Sequence, residues 1–250
     1  MKISNSLQNI KVFVLDTLFP ISCISCGLDD VWLCEACFQK IELLPFQVCP
    51  RCEKLIAEKG RLCDHCKKDR STLDSLLAAT KYNKNNLAKM VHLYKYNFVE
   101  DLHVPFARLL VKIILKNNLP LPDLIIPVPL HQRRLRWRGF NQSELLANYM
   151  SQNLTPGFSI PVAPDLIKRQ KYTPPQMQIG NYSERRKNMR DAFVLNSNQD
   201  IQNKKILLID DIATTGATLF ECAKVLKTNG AKKVFAAVIA RQEFNNEKIT

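Results

Sequence analysis

The chain has no run of about twenty apolar residues, so nothing in it would cross a bilayer as a helix. No secretory leader is expected from its first residues either. The apolar residues near its start (Ile3, Leu7, Ile10, Phe13, Val14, Leu18) are interrupted by Lys11 and Asp16. Their near-helical spacing predicts an amphipathic helix over 1–19, docked on the protein or lying on a membrane surface. These absences predict a cytoplasmic protein with no transmembrane segment, peripheral at the inner membrane where that helix settles on lipid. Two nucleotide fingerprints are missing as well. No Gly-x-x-x-x-Gly-Lys-Ser/Thr occurs, which excludes a P-loop, and no Gly-x-Gly-x-x-Gly occurs, which removes the dinucleotide signature. Acidic residues are few beside basic ones, 23 against 36, for a formal net charge of +13. That excess favours polyanionic partners: phosphates, nucleic acid or an acidic membrane face. With 46% hydrophobic and 24% charged residues in 250, the composition is globular. The length holds one α/β domain and a smaller module.

Cysteine is present in pairs. Cys23/Cys26, Cys34/Cys37, Cys49/Cys52 and Cys63/Cys66 are four Cys-x-x-Cys knuckles. Two thiolates three positions apart can bind one metal from a tight turn, and two knuckles supply the four sulfurs of a closed tetrahedral zinc site. Disulfides are disfavoured in a reducing cytosol, and a redox Cys-x-x-Cys would stand once, on a βαβ unit. Seven residues separate Cys26 from Cys34 and ten separate Cys52 from Cys63. Sequential sites are therefore expected, Cys23, Cys26, Cys34 and Cys37 in one and Cys49, Cys52, Cys63 and Cys66 in the other, with crossed pairing as the alternative. His65 is a bystander on this reading, and Cys222 is a small core residue. Two structural zinc ions would fold residues 20–70, a segment too small to build its own core.

Beyond this module, residues 71–82 read as a strand. Leu87, Met90, Val91 and Tyr94 recur at helical spacing, and a second helix runs through Leu102 to Ile114. Asp123–Val128 is a buried strand. An arginine-rich loop follows, carrying Arg133, Arg134, Arg136 and Arg138. Asn141 with Glu144 makes a capping box for a helix to Asn153. The loop leaves the carboxyl end of a strand, so its guanidinium forks are placed to meet pyrophosphate or nucleic-acid phosphates. A second basic cluster holds Lys168, Arg169, Lys171, Arg185, Arg186, Lys187 and Arg190. It reads as a long loop, either a lid over a pocket or a surface for single-stranded nucleic acid whose bases stack on its tyrosines. Ala192–Leu195 and Val234–Ala240 are further strands, with Arg241 expected at the crevice side.

Residues 206–219 carry the most information. The apolar run Ile206–Ile209 is a buried parallel strand. Asp210 and Asp211 sit at its carboxyl end, where open α/β sheets place their ligand crevice. Ala213–Thr218 form the strand-to-helix turn. Gly216 lets backbone approach a ligand, Thr214, Thr215 and Thr218 offer hydroxyls, and the helix start offers N–H groups to a phosphate. The stretch resembles the signature of type I phosphoribosyltransferases. The resemblance implies that Asp210 and Asp211 hold the ribose hydroxyls of phosphoribosyl pyrophosphate (PRPP). It also implies that Ala213, Thr214, Thr215, Gly216, Ala217 and Thr218 cradle its 5′-phosphate.

The four knuckles, Lys95-Tyr96, Pro127-Val128-Pro129, Arg138-Gly139-Phe140-Asn141-Gln142, Arg185-Arg186 with Asn188, Ala192-Phe193, and Leu208 to Gly216 follow one another along almost the whole chain. Together they resemble the ComF family of competence proteins. The resemblance implies an α/β fold: a phosphoribosyltransferase-like parallel sheet with flanking helices over 71–250, preceded by the zinc-ribbon module. It implies PRPP or a related sugar phosphate with Mg²⁺, and a role in natural transformation, where single-stranded DNA enters the cytoplasm beside other competence proteins at the inner face of the membrane. The expected function is that of a competence protein with a PRPP/Mg²⁺ pocket and basic DNA-binding surfaces. The alternative is an active phosphoribosyltransferase on an unidentified nucleobase or amine acceptor, in which Asp210 and Asp211 are the catalytic residues. A redox or metal-storage module is the third reading. Residues 168–190 are too basic and irregular to name a nucleobase.

Overall fold

The computed structural model describes residues 21–52, 54–56, 60–68, 72–82, 86–173, 187–196 and 199–242. The helix expected over 1–19, Arg185 and Arg186, and the tail from Phe244 lie outside the described residues. The cysteine-rich segment contains helix α1 (Glu35–Gln39), the antiparallel strands β1 (Gln47–Val48) and β2 (Leu55–Ile56), and helix α2 (Asp64–Lys67). Then come β3 (Ser75–Lys81), α3 (Asn86–Tyr96), α4 (His103–Lys116), β4 (Leu124–Pro127), α5 (Gln132–Arg138), α6 (Gln142–Asn153), β5 (Ile167–Arg169), β6 (Phe193–Leu195), β7 (Lys205–Ala213), α7 (Ala217–Thr228) and β8 (Lys233–Arg241). Among the described residues no helix is long and apolar enough to cross a membrane.

Four strands form one parallel sheet in the order β3-β8-β7-β4. Beyond β4, Ile125 donates its N–H to Pro161 and accepts from Ala163, so residues 161–163 cover that edge. Strand side chains alternate between faces, and a sheet buried on both faces must be apolar on both. Leu77, Ile125, Leu207, Ile209, Phe235 and Ala237 therefore pack with α3, α4 and α6. Their neighbours Leu76, Ile126, Ile206, Leu208, Val234 and Ala236 pack with α7 and the β5-β6 hairpin. Cys222 sits in this second layer, fully buried on α7, as its apolar neighbours predict.

The outer edge of β3 is taken up by the cysteine-rich segment. Leu76 donates to the Gly60 carbonyl, Leu44 donates to Ala79, and the buried Gln47 amide pairs with both backbone groups of Ala78. An unpaired sheet edge is a template for aggregation, and these bonds remove it. Gly60 is required at the seam. It has φ +61, and a Cβ there would lie 2.1 Å from the Leu76 carbonyl oxygen. Phe38 of α1 enters the main core, and Glu35 reaches Arg108 on α4 through two bonds of 2.7 and 2.9 Å.

Five local expectations change. The loop expected over the four arginines contains α5, because His131 caps its start and Gly139, at φ +81, closes its end. β7 does not stop at Ile209 but runs through both acids to Ala213, held by β8 in the register Asp210↔Val238 to Ala213↔Arg241. Ala217 and Thr218 belong to α7, so the turn proper is 214–216. Asn141 caps α6 by accepting the Ser143 N–H at 3.1 Å, one residue earlier than a capping box requires. Arg241 turns away from the crevice, and its guanidinium donates to the Pro50 carbonyl of the cysteine-rich segment at 3.1 Å.

Candidate functional site

A cavity of about 490 Å³ opens at the carboxyl ends of β4 and β7. One wall is acidic. Asp210 and Asp211 are consecutive strand residues, so their side chains leave the strand in opposite directions. Asp211 goes toward α3, where Lys95 meets its Oδ1 at 2.8 Å, and it accepts the Ile212 N–H on the same atom at 2.6 Å. Asp210 Oδ1 accepts from Ser143 Oγ at 3.2 Å and from the Asp211 N–H at 2.9 Å. Burial and then the neighbouring Asp211 carboxylate push the Asp210 carboxyl up to about 7, against the opposing pull of Lys95. Burial and like charge thus disfavour the second negative charge of the pair.

The facing wall is basic. Arg133, Arg134 and Arg138 from α5 and Arg169 from β5 line the same cavity. Arg134 is tied to the Thr173 carbonyl at 2.8 Å, and Arg138 to Gln142 Oε1 at 2.9 Å. Arg169 is 7% exposed. Burial, and then Arg134, push its guanidinium down to about 10, so it stays charged at neutral pH. The Nε atoms of Arg138 and Arg169 are buried with no hydrogen-bond partner. Buried cationic N–H groups without an acceptor are costly unless a ligand supplies one. Partial burial and then Arg169, Arg133, Arg134 and Arg136 hold His131 below its ordinary range, which keeps its Nδ1 neutral to accept the Arg133 N–H and start α5.

Thr214 and Thr218 also line the cavity, whereas Ala213, Thr215, Gly216 and Ala217 form the packed turn behind it. Gly216 has φ +70, a left-handed conformation that suits glycine and reverses the chain between β7 and α7. Thr215 Oγ1 accepts the Ala217 N–H at 3.2 Å, so one N–H at the start of α7 is already engaged.

The fold therefore gathers Asp210, Asp211, Thr214, Thr218, Arg133, Arg134 and Arg138 around one space. Lys95, Ser143 and the buried position of Arg169 were not assigned to the pocket from sequence. Lys95 had a legible signal only as part of Lys95-Tyr96. Ser143 had none, because its role follows from where α6 begins.

The knuckles pair sequentially, and the crossed arrangement does not occur. The sulfurs of Cys23, Cys26, Cys34 and Cys37 lie within 4.8 Å of one another, and so do those of Cys49, Cys52, Cys63 and Cys66. Sulfurs on a tetrahedral zinc with bonds of about 2.3 Å stand roughly 3.8 Å apart. The Cys26–Cys34 and Cys52–Cys63 pairs, each at 3.6 Å, match that spacing. Cys34 N–H donates to Cys23 Sγ and Cys63 N–H to Cys49 Sγ, both at 3.4 Å. Burial opposes ionisation of Cys23, but N–H groups of Cys34, Cys26 and Ser25 together draw its thiol down to about 6. Each cluster could hold one structural ion, and His65 belongs to neither.

Residues 141–249 match the phosphoribosyl transferase domain family. The chain is 30% identical over 232 residues to competence protein F of Haemophilus influenzae, covering 89% of this chain and 98% of that one. It is 30% identical over 206 residues to the DNA utilization protein YhgH of Salmonella typhi, covering 81% and 87%. It is 24% identical over 216 residues to competence protein ComFC of Bacillus subtilis, covering 80% of each. With competence protein F matched at 30% identity over most of both chains, the chain belongs to the ComF family of competence proteins.

Proposed function

We propose that this is a competence protein whose cavity binds PRPP or a related sugar phosphate and whose basic surfaces handle single-stranded DNA during natural transformation. One observation carries the reading: an acid pair and four arginines face one another across a single cavity at the sheet's carboxyl edge. Carboxylates accept from a vicinal diol, and guanidinium groups donate to phosphates, so the two walls suit the two ends of a ribose phosphate. Asp210 and Asp211 take the ribose hydroxyls, with Lys95 released from Asp211 as they do so. Thr214 and Thr218 face the 5′-phosphate, with Ala213, Thr215, Gly216 and Ala217 shaping the turn behind them, and Arg133, Arg134, Arg138 and Arg169 face the pyrophosphate or DNA phosphates. Arg185 and Arg186, which lie outside the described residues, are assigned the same role from the sequence. Mg²⁺, a hard cation that keeps its waters and binds phosphate oxygens, fits beside the two carboxylates and would neutralise pyrophosphate charge. Relatives named for competence and for DNA utilization support the biological role. In this reading residues 20–70 and 71–250 are zinc module and sugar-phosphate domain, preceded by the amphipathic helix that the sequence predicts over 1–19, outside the described residues. The protein works in the cytoplasm, peripheral at the inner membrane and beside other competence proteins.

Calorimetry with PRPP and Mg²⁺ tests the pocket, and a transformation assay tests the role. The wild type should release or absorb heat and Asp210→Asn/Asp211→Asn should not, while the same variant loses transformation. Absence of heat with the wild type would remove the sugar-phosphate assignment. Pyrophosphate release with an acceptor, lost in the double variant, would establish turnover in the same pocket.

A further inference from the structure

Three aromatic rings gather at the mouth of the cavity: Tyr96 and Trp137 line it, and Phe98 packs on Trp137 just outside. Trp137 is 59% exposed, Phe98 39% and Tyr96 38%. They nevertheless touch one another in a ladder: Phe98 meets Trp137 edge-on at 5.4 Å, and Tyr96 meets Trp137 at 6.4 Å. Phe98 holds its place at φ +59, a backbone region that bulky side chains avoid at a cost of about 1–3 kcal/mol. Trp137 stands on α5, a helix with no buried residue, while Tyr96 ends α3 and Phe98 follows it. The apolar side chains of α5 are therefore not core residues, and large apolar groups left partly in water at a cavity mouth mark a binding surface.

We propose that Tyr96, Phe98 and Trp137 form a stacking platform for the bases of single-stranded nucleic acid. The inference rests on the DNA-handling reading above and gives it a location. Charge selects the occupant. Along α5 the arginines 133, 134, 136 and 138 flank Leu135 and Trp137, and Arg138 lies 5.7 Å from the Tyr96 ring. A π-face beside guanidinium groups suits a base joined to phosphates, the pairing that unsequenced single-strand sites use. The rings are also too open for a small nucleobase, which a pocket would enclose on most sides. A passing polymer needs one face only.

The test uses the full chain and a fluorescently labelled twenty-nucleotide oligo(dT), followed by anisotropy across a salt series. Trp137→Ala should weaken binding about tenfold, and Trp137→Phe should retain most of the affinity, since stacking on one ring is lost in the first and kept in the second. The salt slope should stay at the wild-type value in both, because it counts phosphate contacts. An oligonucleotide of equal length with abasic residues should bind wild type and Trp137→Ala alike. That arm separates stacking from any fold defect, and the exposure of Trp137 makes such a defect small. Equal oligo(dT) affinity for wild type and Trp137→Ala would overturn the platform while leaving DNA binding in place. That outcome would assign the ladder to a protein or lipid partner. Failure of the wild type to bind oligo(dT) at low salt would overturn the DNA reading itself, and the platform with it.

Discussion

The cysteine-rich segment and the sheet lie against each other but hold their shapes differently. Around its two clusters the first buries little beyond the ligands: Cys23, Cys34 and Cys37 in one, Cys49, Leu62 and Cys66 in the other. The second buries aliphatic and aromatic residues in two continuous layers, one on each face of the sheet. A segment whose apolar residues, Phe38 and Trp32 among them, are spent on the main core would hold its two clusters by metal ligation, whereas a doubly covered sheet takes its stability from area removed from water. The two meet along β3, where one needs its edge covered and the other needs a surface to lie on.

That contrast can be broken most sharply at the metal. Cys26→Ser, at an exposed ligand, should reduce bound zinc measured by elemental analysis from two equivalents to one. It should also open the first knuckle pair to protease while the sheet keeps its cooperative melt. Loss of the sheet's melt together with the metal would mean that the two regions form one cooperative unit. Phe106→Ala in the main core should do the reverse. It should cost about 3–5 kcal/mol in denaturant melts, as large aromatic truncations do, with zinc content unchanged.

A third change addresses the acid wall. The folded-state value of Asp210 is raised to about 7 from an ordinary 3.8. Its contribution to stability is therefore complete below pH 4 and is lost as pH rises toward 7. Asp210→Asn removes that loss. The variant should match the wild type at pH 4 and exceed it at pH 8 by on the order of 2 kcal/mol in ligand-free denaturant melts. A variant less stable at pH 8 would show that Asp210 is ionised and satisfied in the free protein. The smallest effect is expected at the seam. Hydrogen bonds from Arg108, then from Gln39, hold the Glu35 carboxyl down to about 2. The ion pair is present above the ordinary carboxylate range and lost as pH falls toward 2. Glu35 is exposed, so solvent screens it and Glu35→Gln should shift the melt only slightly at pH 7 and not at all at pH 2.

Much of the site could be read before the fold was known, and the reason is local. The run Ile206–Ile209 followed by two acids, hydroxyls and Gly216 needs only strand-then-turn geometry to be understood. The strand's true end escaped that reading because pairing with β8, not the sequence of β7, carries it through Asp210 to Ala213. The helix α5 escaped it for a different reason. Four arginines read as a solvated loop, while the His131 cap and the left-handed Gly139 that delimit the helix are single residues with weak signals.

By itself the sequence determined what depends on spacing along the chain: the knuckle pairs, the alternation of apolar residues in each strand, and the adjacency of Asp210 to Asp211. Only the tertiary structure decided what depends on approach across it. It brought Lys95 and Ser143 to the acids, turned Arg169 inward, faced the α5 arginines toward the carboxylates, and sent Arg241 to Pro50. Chain spacing fixes neighbours within a turn or a strand, whereas contacts between residues tens of positions apart are set by strand order and by which face each side chain takes.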